Sequence, residues 1–145
     1  MKPWMVAGML AVLGSHAHAA TTYVLDPAGG KLSFAFNQAG AENTGQFRKF
    51  DVKLTLDDRN PTDNRLDVQI QVASLDTQDE ERDEILRSAD LFDCAKHATA
   101  SFVSKRVKRF AAGRYVATGT LTIRGVAREV QVPFTFADGR MSGST

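Results

Sequence analysis

From residue 31 onward the chain alternates apolar and polar side chains with a period of two, the spacing of strands that bury one face and wet the other. Leu32, Phe34 and Phe36 alternate with Ser33, Ala35 and Asn37. Phe50, Val52, Leu54 and Leu56 interleave with Asp51, Lys53, Thr55 and Asp57, and Leu66, Val68, Ile70 and Val72 with Asp67, Gln69, Gln71 and Ala73. Tyr115, Ala117, Gly119, Leu121 and Ile123 form another such row, and Val130, Val132, Phe134 and Phe136 the last. Residues 97–104 form a weaker strand. Long uninterrupted apolar runs, the mark of buried parallel strands, are missing, so the pattern predicts an antiparallel sheet. Reversals are expected at Ala28-Gly29-Gly30, at residues 57–64 with Pro61, at Ala112-Gly113 and at Arg124-Gly125. Pro133 places its part of the last strand at an edge or a bulge.

One segment reads as helix. Thr77-Gln78-Asp79-Glu80 fits a capping box, residues 79–84 put acids where the helix dipole favours them, and Asp83 is spaced to pair with Arg87. Ile85, Leu86, Leu91 and Phe92 are expected to cover the sheet. At the other end of the chain Asp138-Gly139 is a strong hairpin signal. The six residues from Arg140 to Thr145 are short for a return strand, which leaves Phe134 and Phe136 on an unpaired edge and predicts a barrel truncated at its C-terminal side. A sheet of this size closes into a barrel or splits into a sandwich, and a small barrel's interior is either filled or holds one small ligand. Periodicity leaves both open.

Composition narrows the class. The 145 residues suffice for one domain, and 43% apolar with 24% charged residues is globular usage. Mean hydropathy is −0.24, and no apolar run approaches the ~20 residues of a membrane-spanning helix. Lys2, the apolar stretch 4–13 and Ala17-His18-Ala19 follow one another as the charged, apolar and cleavage regions of an export leader. Residues 1–19 are therefore expected to be a signal peptide and residues 20–145 the mature domain, in the periplasm or secreted. Cleavage leaves His97 as the sole histidine. The 18 basic and 17 acidic residues give no global field for nucleic acid. They are segregated, however: residues 20–93 hold 15 acids and 8 bases, residues 94–145 hold 2 acids and 9 bases, so the halves attract.

Candidate chemistry is sparse. The lone Cys94 excludes internal disulfides and multi-cysteine zinc sites. Cys94 and His97, three apart, have the residue types of a nucleophile with its base or of two metal ligands, yet neither reading has an obvious third partner. Neither G-x-S-x-G nor H-E-x-x-H occurs. The acids at 79–84 lack calcium-loop spacing. Lys105, Arg106, Lys108 and Arg109 surround Val107 and Phe110 as a basic patch, read either as a contact for phospholipid headgroups or a diphosphate head, or as a solvated hairpin guarding an edge.

Several runs together carry a resemblance: Tyr23-Val24-Leu25-Asp26-Pro27, then Ser74-Leu75-Asp76-Thr77, Arg82-Asp83, Leu86-Arg87-Ser88 and Asp90-Leu91-Phe92-Asp93, then Phe102-Val103-Ser104, and finally residues 119–126 running into Val130-Gln131-Val132-Pro133. In this order they resemble the YceI-like family of periplasmic lipid-binding proteins over residues 22–137. The resemblance implies an all-β, lipocalin-like antiparallel barrel with one short helix and an apolar tunnel for a polyisoprenoid chain or an isoprenoid quinone. It also implies further C-terminal strands. Ala28-Gly29-Gly30-Lys31 and Ala98 depart from the family pattern. On this reading the protein is a carrier without enzymatic activity, metal or cofactor, and its partners are a long-chain isoprenoid lipid and, transiently, a membrane surface. Alternation assigns the tunnel lining to Phe34, Phe36, Val52, Leu54, Val68, Ile70, Leu121, Val132 and Phe134. Two alternatives stay open: a secreted, stress-related domain with a packed core and no ligand, and a thiol-dependent enzyme using Cys94 and His97.

Overall fold

The computed structural model describes residues 2–13, 20–26 and 28–145. The expected cleavage site at residues 17–19 lies outside the described residues. Eleven strands are described: β1 (Lys2–Leu13), β2 (Ala20–Leu25), β3 (Lys31–Gln38), β4 (Ala41–Phe47), β5 (Phe50–Asp57), β6 (Arg65–Gln71), β7 (Leu75–Asp76), β8 (Thr99–Ala111), β9 (Arg114–Ile123), β10 (Val126–Ala137) and β11 (Arg140–Ser144). One helix, α1 (Glu80–Arg87), interrupts them between β7 and β8.

The strands form one sheet in the order β11-β10-β9-β8-β6-β5-β2-β1-β3-β4-β7. Adjacent pairs along this order are antiparallel, as the missing apolar runs predict. Residues 5–7 of β1 pair with β3 on one edge and with β11 on the other, and β1 also continues onto β2. The curled sheet thus becomes a lipocalin-like barrel whose flanks β1 bridges. Because β1 lies within the expected leader, that bridge belongs to the uncleaved chain. No helix among the described residues is long and apolar enough to cross a membrane.

The end of the chain departs from expectation. Five residues do make a return strand: β11 pairs Arg140 with Ala137 and Gly143 with Phe134. The two-residue turn makes this possible, since Asp138 and Gly139 both adopt positive φ, 53° and 75°, the geometry whose twist suits a tight hairpin. Phe134 and Phe136 are accordingly buried. Pro133 stands where the ladder to β11 ends, facing Val116 of β9 on its other side, so its missing N–H costs β10 no pairing there.

Alternation translates into burial. Leu32, Leu54, Ile70 and Ala117 have no exposed surface, and Val52 and Leu66 almost none. An aromatic group fills one end of this core: Phe34 lies 4.7 Å from Phe47 and 5.8 Å from each of Phe36 and Phe92, ring centre to ring centre. Gly45, opposite Phe34 across the β3–β4 ladder, admits the ring; a Cβ there would sit 2.5 Å from Phe34 Cζ.

The opposite charges of the two halves do not appear as ion pairs between them. The two salt bridges among the described residues, Arg48–Asp76 and Lys105–Glu129, each lie within one half. The halves join instead through the β6–β8 ladder and the apolar core behind it.

Candidate functional site

At one end of the barrel, β3 and β9 run out beneath α1. The N-cap of α1 is Asp79, whose carboxylate accepts from Arg82 N at 3.1 Å; Thr77 does not take that role. Thr77 is engaged by Asp83, which accepts from both Thr77 N (2.9 Å) and Thr77 Oγ1 (2.6 Å) while 4% exposed. The expected Asp83–Arg87 pair is therefore not made. Arg87 reaches the other way and donates to Ala73 O and Leu75 O, fastening the helix to the segment before it. A compact turn follows, in which Phe92 N donates to Leu86 O at 2.9 Å and Asp93 N to Ser88 O at 2.8 Å. This turn drives Phe92 into the core and delays β8 to Thr99, two residues past the expected start.

The helix covers the sheet only in part. Leu86 and Phe92 are buried, but Ile85 is 58% and Leu91 44% exposed, contrary to the expectation that all four pack inward. Eight residues of helix present too narrow a face to bury neighbours at successive positions. The uncovered pair forms the shoulders of an open cleft of about 460 Å³. Its floor is Phe34, Phe36, Leu86, Phe92 and Ile123, and its rim Asn37, Gln38, Arg82, Asp90 and Arg124. The volume falls in the ~300–1,000 Å³ range of small-molecule sites, with the usual combination of apolar walls and few polar groups.

Two arginines flank this floor. Arg82 donates from Nε to Thr77 Oγ1 (2.9 Å) and from Nη2 to Thr77 O (2.8 Å), which holds its guanidinium 5.9 Å from the centre of the Phe36 ring. Arg124 occupies the first turn position of the β9–β10 hairpin with φ 53°, followed by Gly125 at 72°. Its Nη2 donates to Ala89 O at 2.6 Å, tying the hairpin to the end of the helical segment.

The sequence-assigned lining divides three ways. Phe34 and Phe36 lie on the cleft floor. Val68, Leu121 and Val132 border a small, partly open void of about 20 Å³ together with Leu66, Phe102, Met141 and Thr145. Val52, Leu54, Ile70 and Phe134 are packed in the core, where they line none of the described cavities. Arg82, Arg124, Ile85 and Leu91 are cleft residues that alternation did not assign to a site. The signal available for Arg124 was its place in a turn that usually takes Asn, Asp or Gly. A wider groove of about 760 Å³ runs beside Gly8, Asp26, Lys31 and Arg140, but without the aromatic floor.

Cys94 and His97 lie in the segment between α1 and β8. Cys94 is half-buried, and burial raises its thiol pKa, with Arg87 opposing and Asp93 reinforcing the shift. The His97 ring lies against the β9–β10 turn, where a Cβ on Gly125 would meet it at 2.9 Å. No hydrogen bond links the two among the described residues, and no trio of His, Cys, Asp or Glu there could hold a metal.

Comparison with known proteins agrees with this architecture. The YceI-like domain family matches residues 23–145. A UPF0312 protein of Photorhabdus laumondii is 45% identical over 86 residues, which are 59% of this chain and 44% of that protein, so the match spans under half of the relative's length. The crystal structure of Burkholderia cenocepacia BcnA superposes with a TM-score of 0.68 at 24% identity, over 97% of this chain and 74% of that one. A polyisoprenoid binding domain from Saccharophagus degradans, implicated in plant cell wall breakdown, superposes with a TM-score of 0.57 at 14% identity, over 94% of this chain and 72% of that one. These two likenesses establish the shared fold.

Proposed function

The chain belongs to the YceI-like family, and on that premise we propose that it binds a long, branched apolar lipid, a polyisoprenoid or isoprenoid quinone, by its tail. The observation that carries this reading is the cleft: an open, aromatic-floored cavity at the barrel end, with two large apolar side chains left exposed beside it. A fold neighbour described as a polyisoprenoid binding domain supports the same ligand class. The first isoprene units lie against Phe36, Leu86, Phe92 and Ile123.

Magnitudes favour a long tail. Micromolar affinity requires about 8 kcal/mol net. With an association cost of ~4 kcal/mol or more, about 12 kcal/mol must come from burial, or ~500 Å² at ~25 cal/mol per Å². Several isoprene units supply that area, and a short tail does not. The chemistry asked of the site is burial and release, which needs no nucleophile. Export follows from the leader pattern, with cleavage after Ala19 placing the carrier in the periplasm, where Ile85 and Leu91 make transient contact with a membrane surface.

The packed interior favours a second reading, a domain that needs no ligand. Titration of lipid-stripped protein with geranylgeraniol separates the two. Saturable binding that weakens at least tenfold in Phe36→Ala is expected of the carrier; absence of saturable binding leaves the packed domain.

A further inference from the structure

We propose that the β8–β9 hairpin is a docking surface for an anionic lipid membrane, with its cations on the phosphate headgroups and Phe110 at the boundary between headgroups and acyl chains. The surface lies apart from the cleft and does not depend on what the cleft holds.

Residues 105–114 carry five basic side chains and no acid. Lys105, Arg106, Lys108, Arg109 and Arg114 are all exposed, while Val107 among them is buried and holds the strand to the core. Lys105 pairs with Glu129; the other four form no salt bridge among the described residues. The register gives the reason. Arg106 stands opposite Thr118 and then Gln131, Lys108 opposite Val116 and Pro133, and Arg109 opposite Tyr115 and Phe134, while Arg114 faces Thr135. None of these rungs brings a carboxylate to the cations. A cluster of uncompensated positive charge at one tip attracts an anionic surface.

Guarding a free edge accounts for the charges but not for Phe110. β6 pairs with β8 only as far as Val103, so residues 105–111 overhang it, and charged side chains along such an edge deter strand addition. An exposed ring does the opposite. Phe110 is 58% exposed and sits where the β8–β9 register shifts between Arg109 and Ala111, close to the Ala112-Gly113 turn. Arg109 donates from Nε to Ala111 O at 3.4 Å, which keeps its charge at the tip. Cations around one exposed aromatic are the composition of a peripheral membrane contact. A nucleic acid fits less well. Residues 20–93 hold 15 acids against 8 bases and repel a long polyanion, and the neighbouring rings of Tyr115 and Phe134 are buried, with no face for a base to stack on. A flat lipid surface meets the tip alone. The ten residues of β9 run from this tip to Ile123 at the cleft, about 30 Å at ~3.3 Å per residue. Docking by the hairpin therefore turns the cleft mouth away from that membrane and leaves Ile85 and Leu91 for a second surface.

The test is flotation of the full chain with vesicles of phosphatidylcholine, either alone or with about a third phosphatidylglycerol. Binding is expected with the phosphatidylglycerol vesicles, weakening as salt is raised, and not with phosphatidylcholine alone. Lys108→Gln and Arg114→Gln should each lower the partition coefficient about fivefold. Phe110→Ser should lower it about tenfold. All three side chains are exposed, so the variants are expected to keep wild-type circular dichroism. Failure of the folded wild type to float with anionic vesicles at low salt would overturn the proposal, as would equal binding to both kinds of vesicle. Binding that survives all three substitutions but is lost in Ile85→Ser would move the membrane contact to the cleft end. A single-stranded oligonucleotide bound as tightly as the vesicles, and weakened by the same substitutions, would make the tip a general polyanion site and reject the membrane.

Discussion

Phe34 and Phe36 are two positions apart on one strand face, and the structure gives them different duties. Phe34 is 1% exposed and touches three other rings, whereas Phe36 is half-buried with Arg82 over it. Removing the Phe34 ring leaves a void among groups that cannot collapse, so Phe34→Ala is expected to cost ~3–5 kcal/mol in urea unfolding. Phe36→Ala opens a space already joined to solvent and should cost clearly less. Equal losses would place Phe36 in the packed core. Cys94 offers a second check. Burial raises its pKa, so less thiolate exists at neutral pH than for a free cysteine. Alkylation by iodoacetamide should accordingly be slower than that of a free thiol at pH 8 and accelerate only at higher pH. Cys94→Ser should retain lipid binding; its loss in a folded variant would revive the thiol reading.

At the scale of elements, α1 owes its place to a buried carboxylate more than to its own short length. Asp83 satisfies the N–H and hydroxyl of Thr77, and Thr77 in turn holds Arg82. Asp83→Ala strands these donors in a buried setting, which typically costs ~1–3 kcal/mol. Thermal unfolding should register that loss together with weaker ligand binding, because the helix that walls the cleft loosens. An unchanged melting temperature would mean that the helix is held by its apolar contacts alone. The strands were legible from alternation because each buries one face, and period two says which. The details of α1 were not. Thr77 and Asp79 both suit an N-cap, and only the fold decides that Thr77 is already taken by Asp83. The return strand was missed for a related reason. Length alone argued against it, while the Asp138-Gly139 turn and the neighbouring β1 gave those few residues partners on both sides.

For the whole molecule, closure and binding meet in the fate of β1. A chain beginning at Ala20 lacks the bridge between β11 and the β2–β3 edge. It is expected to unfold at a lower temperature than the full chain and to protect the amides of β11 less in hydrogen exchange. Equal stability and equal protection would show that β1 adds nothing to the barrel. The cleft itself was invisible to sequence reading because β3, α1 and the end of β9 supply it from three distant stretches. Alternation identifies inward-facing residues without telling lining from filling, so it grouped Leu54 and Ile70 with Phe36. Native mass spectrometry of the protein, gently purified from a bacterial host, tests the carrier reading most directly. The expected spectrum holds a second species heavier by one discrete mass, released by organic solvent and identified as an isoprenoid lipid. A spectrum of bare protein alone, with no isoprenoid in the extract and none taken up when geranylgeraniol is added, would contradict it.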